Sequence, residues 1–138
     1  MSDKKVLNAV QQEIQEREKH LVEMEQGINQ LRSQQQQLNS QGQMLEKEKK
    51  RCYITKQELS TLTNDHNVYR AIGRAFVRQP VETLMKEENQ REAYCTTEIQ
   101  TVEGRKKQLA ETLKSQQLSM ESQYKEYLEL AQSFQGKG

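Results

Sequence analysis

Tryptophan is absent from the 138 residues, proline occurs once, phenylalanine twice, and aromatic side chains make up only 5% of the chain. Hydrophobic residues reach 33% and mean hydropathy is −1.07. A compact globular core draws on nearly half apolar residues, so an ordinary globular domain is excluded. Disorder would go with surplus charge of one sign and many prolines, whereas net charge is +1 and Pro80 stands alone. What remains is a chain of long helices that bury only a narrow seam.

Other absences narrow the function. The near-neutral charge balance argues against a nucleic-acid-binding protein, which would want a basic face or arm. No apolar run approaches the roughly 20 residues of a membrane span. The start, Met1-Ser2-Asp3-Lys4-Lys5, lacks the apolar block of a signal peptide, so the expected setting is the cytoplasm. The two cysteines, Cys52 and Cys95, form neither a CxxC pair nor a zinc spacing, and in a reducing cytosol they read as small buried hydrophobes. His20 and His66 are isolated, which leaves no metal site. No Ser/His/Asp or Cys/His grouping and no glycine-rich phosphate loop is legible. Carboxylates are plentiful, but on solvated helix faces they lack the pocket that shifts a pKa. The expectation is a non-enzyme without cofactor.

What the chain does have is periodicity. Stepping alternately by three and four from Leu7 gives Leu7, Val10, Ile14, Arg17, Leu21, Met24, Ile28, Leu31, Gln35, Leu38, Gly42, Leu45, Lys49 and Cys52; ten of these fourteen are apolar. From Val81 the same stepping gives Val81, Met85, Glu88, Glu92, Cys95, Ile99, Val102, Lys106, Leu109, Leu113, Gln116, Met120, Gln123, Tyr127, Leu130 and Phe134; eleven of these sixteen are apolar. A seven-residue repeat held this long predicts a coiled-coil seam. Gln35, Gly42 and Lys49 interrupt the first seam; fixing register is one reading, and a loosened middle of the arm is the further expectation, because Gly42 costs about 1 kcal/mol relative to alanine.

Between the arms the period changes. Thr55-Lys56-Gln57-Glu58 has the form of a capping box, with Leu59 and Leu62 following as a short helix. Asn67–Ile72 and Ala75–Gln79 are β-prone runs around Gly73-Arg74, and glycine first in a two-residue turn suits the II′ geometry of a hairpin. The fold class expected is mainly α: an antiparallel two-helix coiled-coil hairpin with a short β-hairpin at the bend. It forms one domain over 1–138, with a first helix at 4–53, a short helix and β-hairpin at 55–79, and a second helix at 80–135. At about 1.5 Å per residue such a hairpin is roughly 70 Å long. If Cys52 lies opposite Val81, Cys95 falls opposite Leu38, roughly 20 Å from Cys52 by the same rise, too far for an intrachain disulfide.

An isolated two-stranded hairpin is marginal in water and exposes unpaired edges, so other subunits are expected to supply pairing strands. At the far end of the arms Tyr127, Leu130 and Phe134 continue the second seam, while Tyr124, Leu128 and Ala131 make a stripe beside it. Together with Met120, Leu7 and Val10 they are wider than a two-helix seam needs. Ordinary packing against another helix is one reading of this tip; an exposed apolar patch that binds unfolded chains is the other.

The segment Leu59-Ser60-Thr61-Leu62, then Asn67-Val68-Tyr69-Arg70-Ala71-Ile72-Gly73-Arg74-Ala75-Phe76-Val77, resembles the signature of β-type prefoldin subunits. The Gly-Arg-x-Phe form at Gly73, Arg74 and Phe76 is most similar to the eukaryotic subunit 1 branch. The close resemblance covers roughly residues 55 to 90, and Pro80-Val81 departs from the polar helix starts more usual there. The resemblance implies a heterohexamer with other prefoldin subunits, built on a β-barrel platform. It also implies ATP-independent holding of non-native actin and tubulin, and transfer to the cytosolic chaperonin. Carried over, Val68, Tyr69, Ile72, Gly73, Phe76 and Val77 become the subunit-assembly residues. The client-binding set, Leu7, Val10, Met120, Tyr124, Tyr127, Leu128, Leu130 and Phe134, comes from the tip argument alone. A structural coiled-coil scaffold, or a subunit of a related prefoldin-like assembly complex, is the alternative.

Overall fold

The computed structural model describes residues 2–62 and 66–136. Two long helices, α1 (Ser2–Ser60) and α2 (Val81–Gly136), flank two short strands, β1 (Val68–Ile72) and β2 (Ala75–Gln79). This is the helix–hairpin–helix order expected from the periodicity. Residues 63–65, part of the anticipated connecting segment, lie outside the described residues.

The first helix does not stop at residue 53. Thr55 to Glu58 continue α1 without a break, so the capping-box pattern caps nothing and Leu59 belongs to the same helix. The physical reason is continuity of the seam: Cys52, Lys56 and Leu59 fall on one face, and Leu59 is buried there. α1 ends instead through its hydroxyls. Ser60 Oγ donates to the Gln57 carbonyl at 2.6 Å and Thr61 Oγ1 to that of Glu58 at 2.7 Å. The amides of Thr61 and Leu62 close tight turns back to Glu58 and Leu59, which occupies carbonyls that a helix end leaves open. α2 begins directly after Pro80, whose carbonyl accepts the first bond from the Leu84 amide at 3.2 Å. Proline suits this place because its missing N–H would have no helical partner.

The strands pair antiparallel with Ile72 opposite Ala75 and Val68 opposite Gln79. Gly73 takes φ +60° and Arg74 does not enter the left-handed region, the II′ pattern anticipated for this turn.

The chain divides into two compact units. One, the helix-pair unit, comprises Met1–Gln37 and Lys106–Gly138; the other, the strand-bearing unit, is Leu38–Arg105. In the helix-pair unit Arg17 meets Glu126 and Glu18 meets Tyr127, while residues 25–32 share a groove with residues 117–124. Rising numbers on one helix thus face falling numbers on the other, an antiparallel pair. In the strand-bearing unit Lys56 bonds Glu92 at 2.9 Å, and Leu59 and Leu62 share a groove with Val81 and Met85.

These pairs correct the expected register. Cys52 does not face Val81; it lies by Glu88 and within electrostatic reach of Cys95. Cys95 in turn lies near Glu48, and not across from Leu38. The cause is the extra length of α1, because the turn is made after Ser60 and every facing position slides along α2.

Within both units the covered positions follow the anticipated seam. On α1 all of its members are buried or half-buried except Leu7, which is exposed. On α2 the one departure is at Gln116, which is exposed while Gln117 is half-covered. Two adjacent glutamines give no apolar residue to choose between steps of three and four, so the pattern alone does not decide.

Candidate interaction surfaces

The hairpin has two different faces, set by the alternation of strand side chains. Val68, Arg70, Ile72, Ala75, Val77 and Gln79 share one; Tyr69, Ala71, Phe76 and Arg78 share the other. On the first, Arg70 forms an ion pair with Glu87 of α2, which ties that face to the helix. On the second, Phe76 is 74% exposed and Tyr69 is more than half exposed. Ile72 and Val77 on the first face are exposed as well. The six anticipated assembly residues therefore do not make one patch. Val68, Ile72 and Val77 look one way, Tyr69 and Phe76 the other, and Gly73 makes the turn. The sheet has only the two strands, so among the described residues neither outer edge has a neighbour, and the backbone groups there are open to another strand.

The helix-pair unit carries the anticipated client-binding residues, but burial divides them. Leu7, Tyr124 and Leu128 are exposed; Val10, Met120, Tyr127, Leu130 and Phe134 are half-covered members of the seam. Tyr127 is held by a 2.6 Å bond from its hydroxyl to the Glu18 carboxylate. That bond, with partial burial second, raises its pKa above the usual phenol value. Beside it Arg17 bridges Glu126 at 3.0 Å and Glu13 at 3.2 Å, which raises its own pKa further. The Tyr124 ring leans on that of Tyr127, centroids 6.3 Å apart and tilted by 31°. An open groove of about 590 Å³ runs past Ile28, Met120 and Tyr124 and is rimmed by Glu25, Arg32 and Glu121.

Several exposed apolar side chains lie off the seam and were not anticipated as binding residues: Val22 and Leu118 in the helix-pair unit, and Met44, Tyr53, Ile54 and Tyr94 in the strand-bearing unit. The signal that would find them is simple, since each is a large apolar residue that the heptad count leaves over.

The remaining titratable feature is a pair of enclosed thiols. Burial, then a hydrogen bond with Glu88, pushes the Cys52 thiol up to about 11, and burial raises Cys95 too. Both shifts favour the protonated thiol, the less nucleophilic form. Among the described residues no group of three or more His, Cys, Asp or Glu side chains could hold a metal ion, and no helix is long and apolar enough to cross a membrane.

A family model described as "Prefoldin subunit" matches residues 23–127. Among solved structures, the prefoldin beta subunit from Thermococcus strain KS-1 is similar with a TM-score of 0.67 and 20% identity, covering 75% of this chain and 90% of that one. No curated protein matches the sequence.

Proposed function

The chain belongs to the prefoldin subunit family, and from that premise we propose that it is a β-type subunit, nearest the eukaryotic subunit 1 branch. Members of this family are chaperone subunits that assemble with other subunits and are not enzymes. The proposed role is to join other prefoldin subunits in a cytoplasmic heterohexamer, hold non-native proteins of the actin and tubulin class without ATP, and deliver them to the cytosolic chaperonin.

The observation that carries this reading is the hairpin. It presents apolar side chains on two faces and open edges on both sides, with Phe76 the most exposed of them. Neighbouring strands from other subunits would satisfy the edges and cover both faces. Holding is supported by the exposed Leu7, Val22, Leu118, Tyr124 and Leu128 of the helix-pair unit. At about 25 cal/mol per Å² buried, each offers weak, adaptable contact. Several such units on one platform raise effective concentration, and avidity does the rest.

Burial suggests which variants separate the two roles. Replacing Tyr127, Leu130 and Phe134 would disturb the seam, whereas Tyr124→Ser with Leu128→Ser touches exposed side chains. Reconstituted with companion prefoldin subunits, that double variant should assemble but protect denatured actin from aggregation less well, as read by light scattering. Phe76→Asp should instead fail to co-elute with the companions. Undiminished protection by the double variant would reject the holding surface, and normal co-elution of Phe76→Asp would reject the hairpin as the assembly element.

A further inference from the structure

Cys52 and Cys95 are the two most enclosed side chains in the strand-bearing unit together with Val102, at 1% and 2% exposure, and both are free thiols. A single buried cysteine is an ordinary small hydrophobe. Two of them at one level of a two-helix seam are a different matter. The level is set by the bond between Lys56 and Glu92. Cys52 lies four residues before Lys56 on α1, and Cys95 three residues after Glu92 on α2. One helical turn is 3.6 residues. Because the helices run antiparallel in this unit, both steps go the same way along the seam by about one turn. The thiols therefore fall at one level of the seam, both buried, and Cys95 lies within electrostatic reach of Cys52. Cysteine is small, and two of them facing each other let the helix backbones approach, which a disulfide requires.

We propose that Cys52 and Cys95 are a thiol–disulfide latch, closing reversibly into an intrachain bond that staples α1 to α2 in the strand-bearing unit. The oxidant is a low-molecular-weight disulfide of the glutathione type. One protein thiolate attacks it and releases a small thiol, leaving a mixed disulfide. The second protein thiolate attacks that sulfur and releases the other small thiol. Two protein thiols and one small disulfide become one protein disulfide and two small thiols; two electrons and two protons leave the protein with them. Raised pKa values keep the thiolate scarce at neutral pH, so the closed seam reacts slowly. Transient opening of the seam exposes the thiols and speeds the reaction. The latch thus responds jointly to redox poise and to breathing of the helix pair. Nothing in it depends on client holding.

The test uses the full chain, reduced and then incubated with oxidised glutathione at mildly alkaline pH. Intact mass should fall by two hydrogens, and a nonreducing digest should contain one peptide joining Cys52 to Cys95, which dithiothreitol separates. The oxidised protein should melt roughly 5–15 °C above the reduced protein, and Cys95→Ala should abolish the difference. All these readouts but the last use the unsubstituted chain, so a folding defect in a variant cannot obscure the result. If the products are only glutathione adducts or bonds between chains, or if the thiols stay unlinked even in mild urea, the latch is overturned.

Discussion

The two units share a seven-residue repeat but not a degree of closure. Of the five buried apolar side chains among the described residues, Cys52, Leu59, Cys95 and Val102 belong to the strand-bearing unit and only Ile28 to the helix-pair unit. The seam residues explain why. Gly42, Cys52, Cys95 and Val102 are small, so facing helices enclose them completely. Leu21, Met24, Leu113, Met120 and Tyr127 are large, and two helices cover only their inner atoms. Both units add polar contacts between the helices at the margin, Arg17 to Glu126 and Tyr127 to Glu18 in the helix-pair unit and Lys56 to Glu92 in the strand-bearing unit. The exposed ones are worth little each. The contrast lies in the seam: the strand-bearing unit encloses its small seam side chains, whereas the helix-pair unit leaves its large ones half-covered, and a loosely covered seam goes with low local stability.

The sharpest way to break this contrast is to place a charge in each seam. Val102→Asp puts a carboxylate where 1% of the side chain is exposed, and it should cost about 4 kcal/mol or more, because a buried charge without a partner is among the most destabilising changes. Leu113→Asp, at a half-covered position of the helix-pair unit, should cost roughly half as much, since its carboxylate reaches water. Urea unfolding of the isolated chain measures both. Equal losses would show that the closure seen in the strand-bearing unit has no energetic counterpart.

Alkaline pH offers a middle-sized test. The Cys52 thiol is raised from its ordinary value of 9.0 to about 11. Between those values the folded thiol keeps its proton while the unfolded one has lost it. The folded state therefore binds more protons, and stability falls as pH rises through this window. The stabilisation is fully present below pH 9, and the loss approaches roughly 3 kcal/mol by the time pH passes 11. Cys95 acts in the same direction. In the helix-pair unit Tyr127 also loses stability with rising pH, but from its ordinary value of 10.0 upward. With reductant present, the urea midpoint should begin to drop from pH 9, and Cys52→Ala should flatten the first part of the fall. An unchanged slope in that variant would assign the loss elsewhere.

Much of this architecture is legible in the amino-acid sequence. The helices, the seam, the II′ turn at Gly73 and the hairpin all follow from local pattern, because heptad spacing and turn chemistry are short-range properties. Register is not legible in the same way. It depends on where α1 ends, and Thr55-Lys56-Gln57-Glu58 looks like a helix start while Lys56 and Leu59 already belong to the preceding seam. Burial along a continuous face overrides a local capping motif. The consequence runs far: Cys95 lies at the level of Cys52 and not of Leu38, and two apparently unrelated thiols are neighbours. The division of the hairpin residues between two faces is recoverable from alternation, but only once Ile72 and Ala75 are known to be partners. The exposed Val22, Leu118, Tyr53 and Tyr94 are visible as large apolar residues that the heptad count leaves over.

The smallest effect isolates the backbone from the seam. Gly27 and Gly104 lie inside α1 and α2, one in each unit, and a Cβ added at either would meet nothing within 4 Å. Alanine at either site loses less chain entropy on folding than glycine and meets no steric conflict, so each change should stabilise by about 0.5–1 kcal/mol. If the units differ through seam side chains alone, Gly27→Ala and Gly104→Ala should raise the thermal midpoint by similar amounts. A much smaller gain from Gly27→Ala would mean that the helix of the helix-pair unit frays before the unit as a whole unfolds. The contrast would then lie in backbone cooperativity as well as in packing, and the loosely covered seam would be a consequence of that fraying instead of its cause.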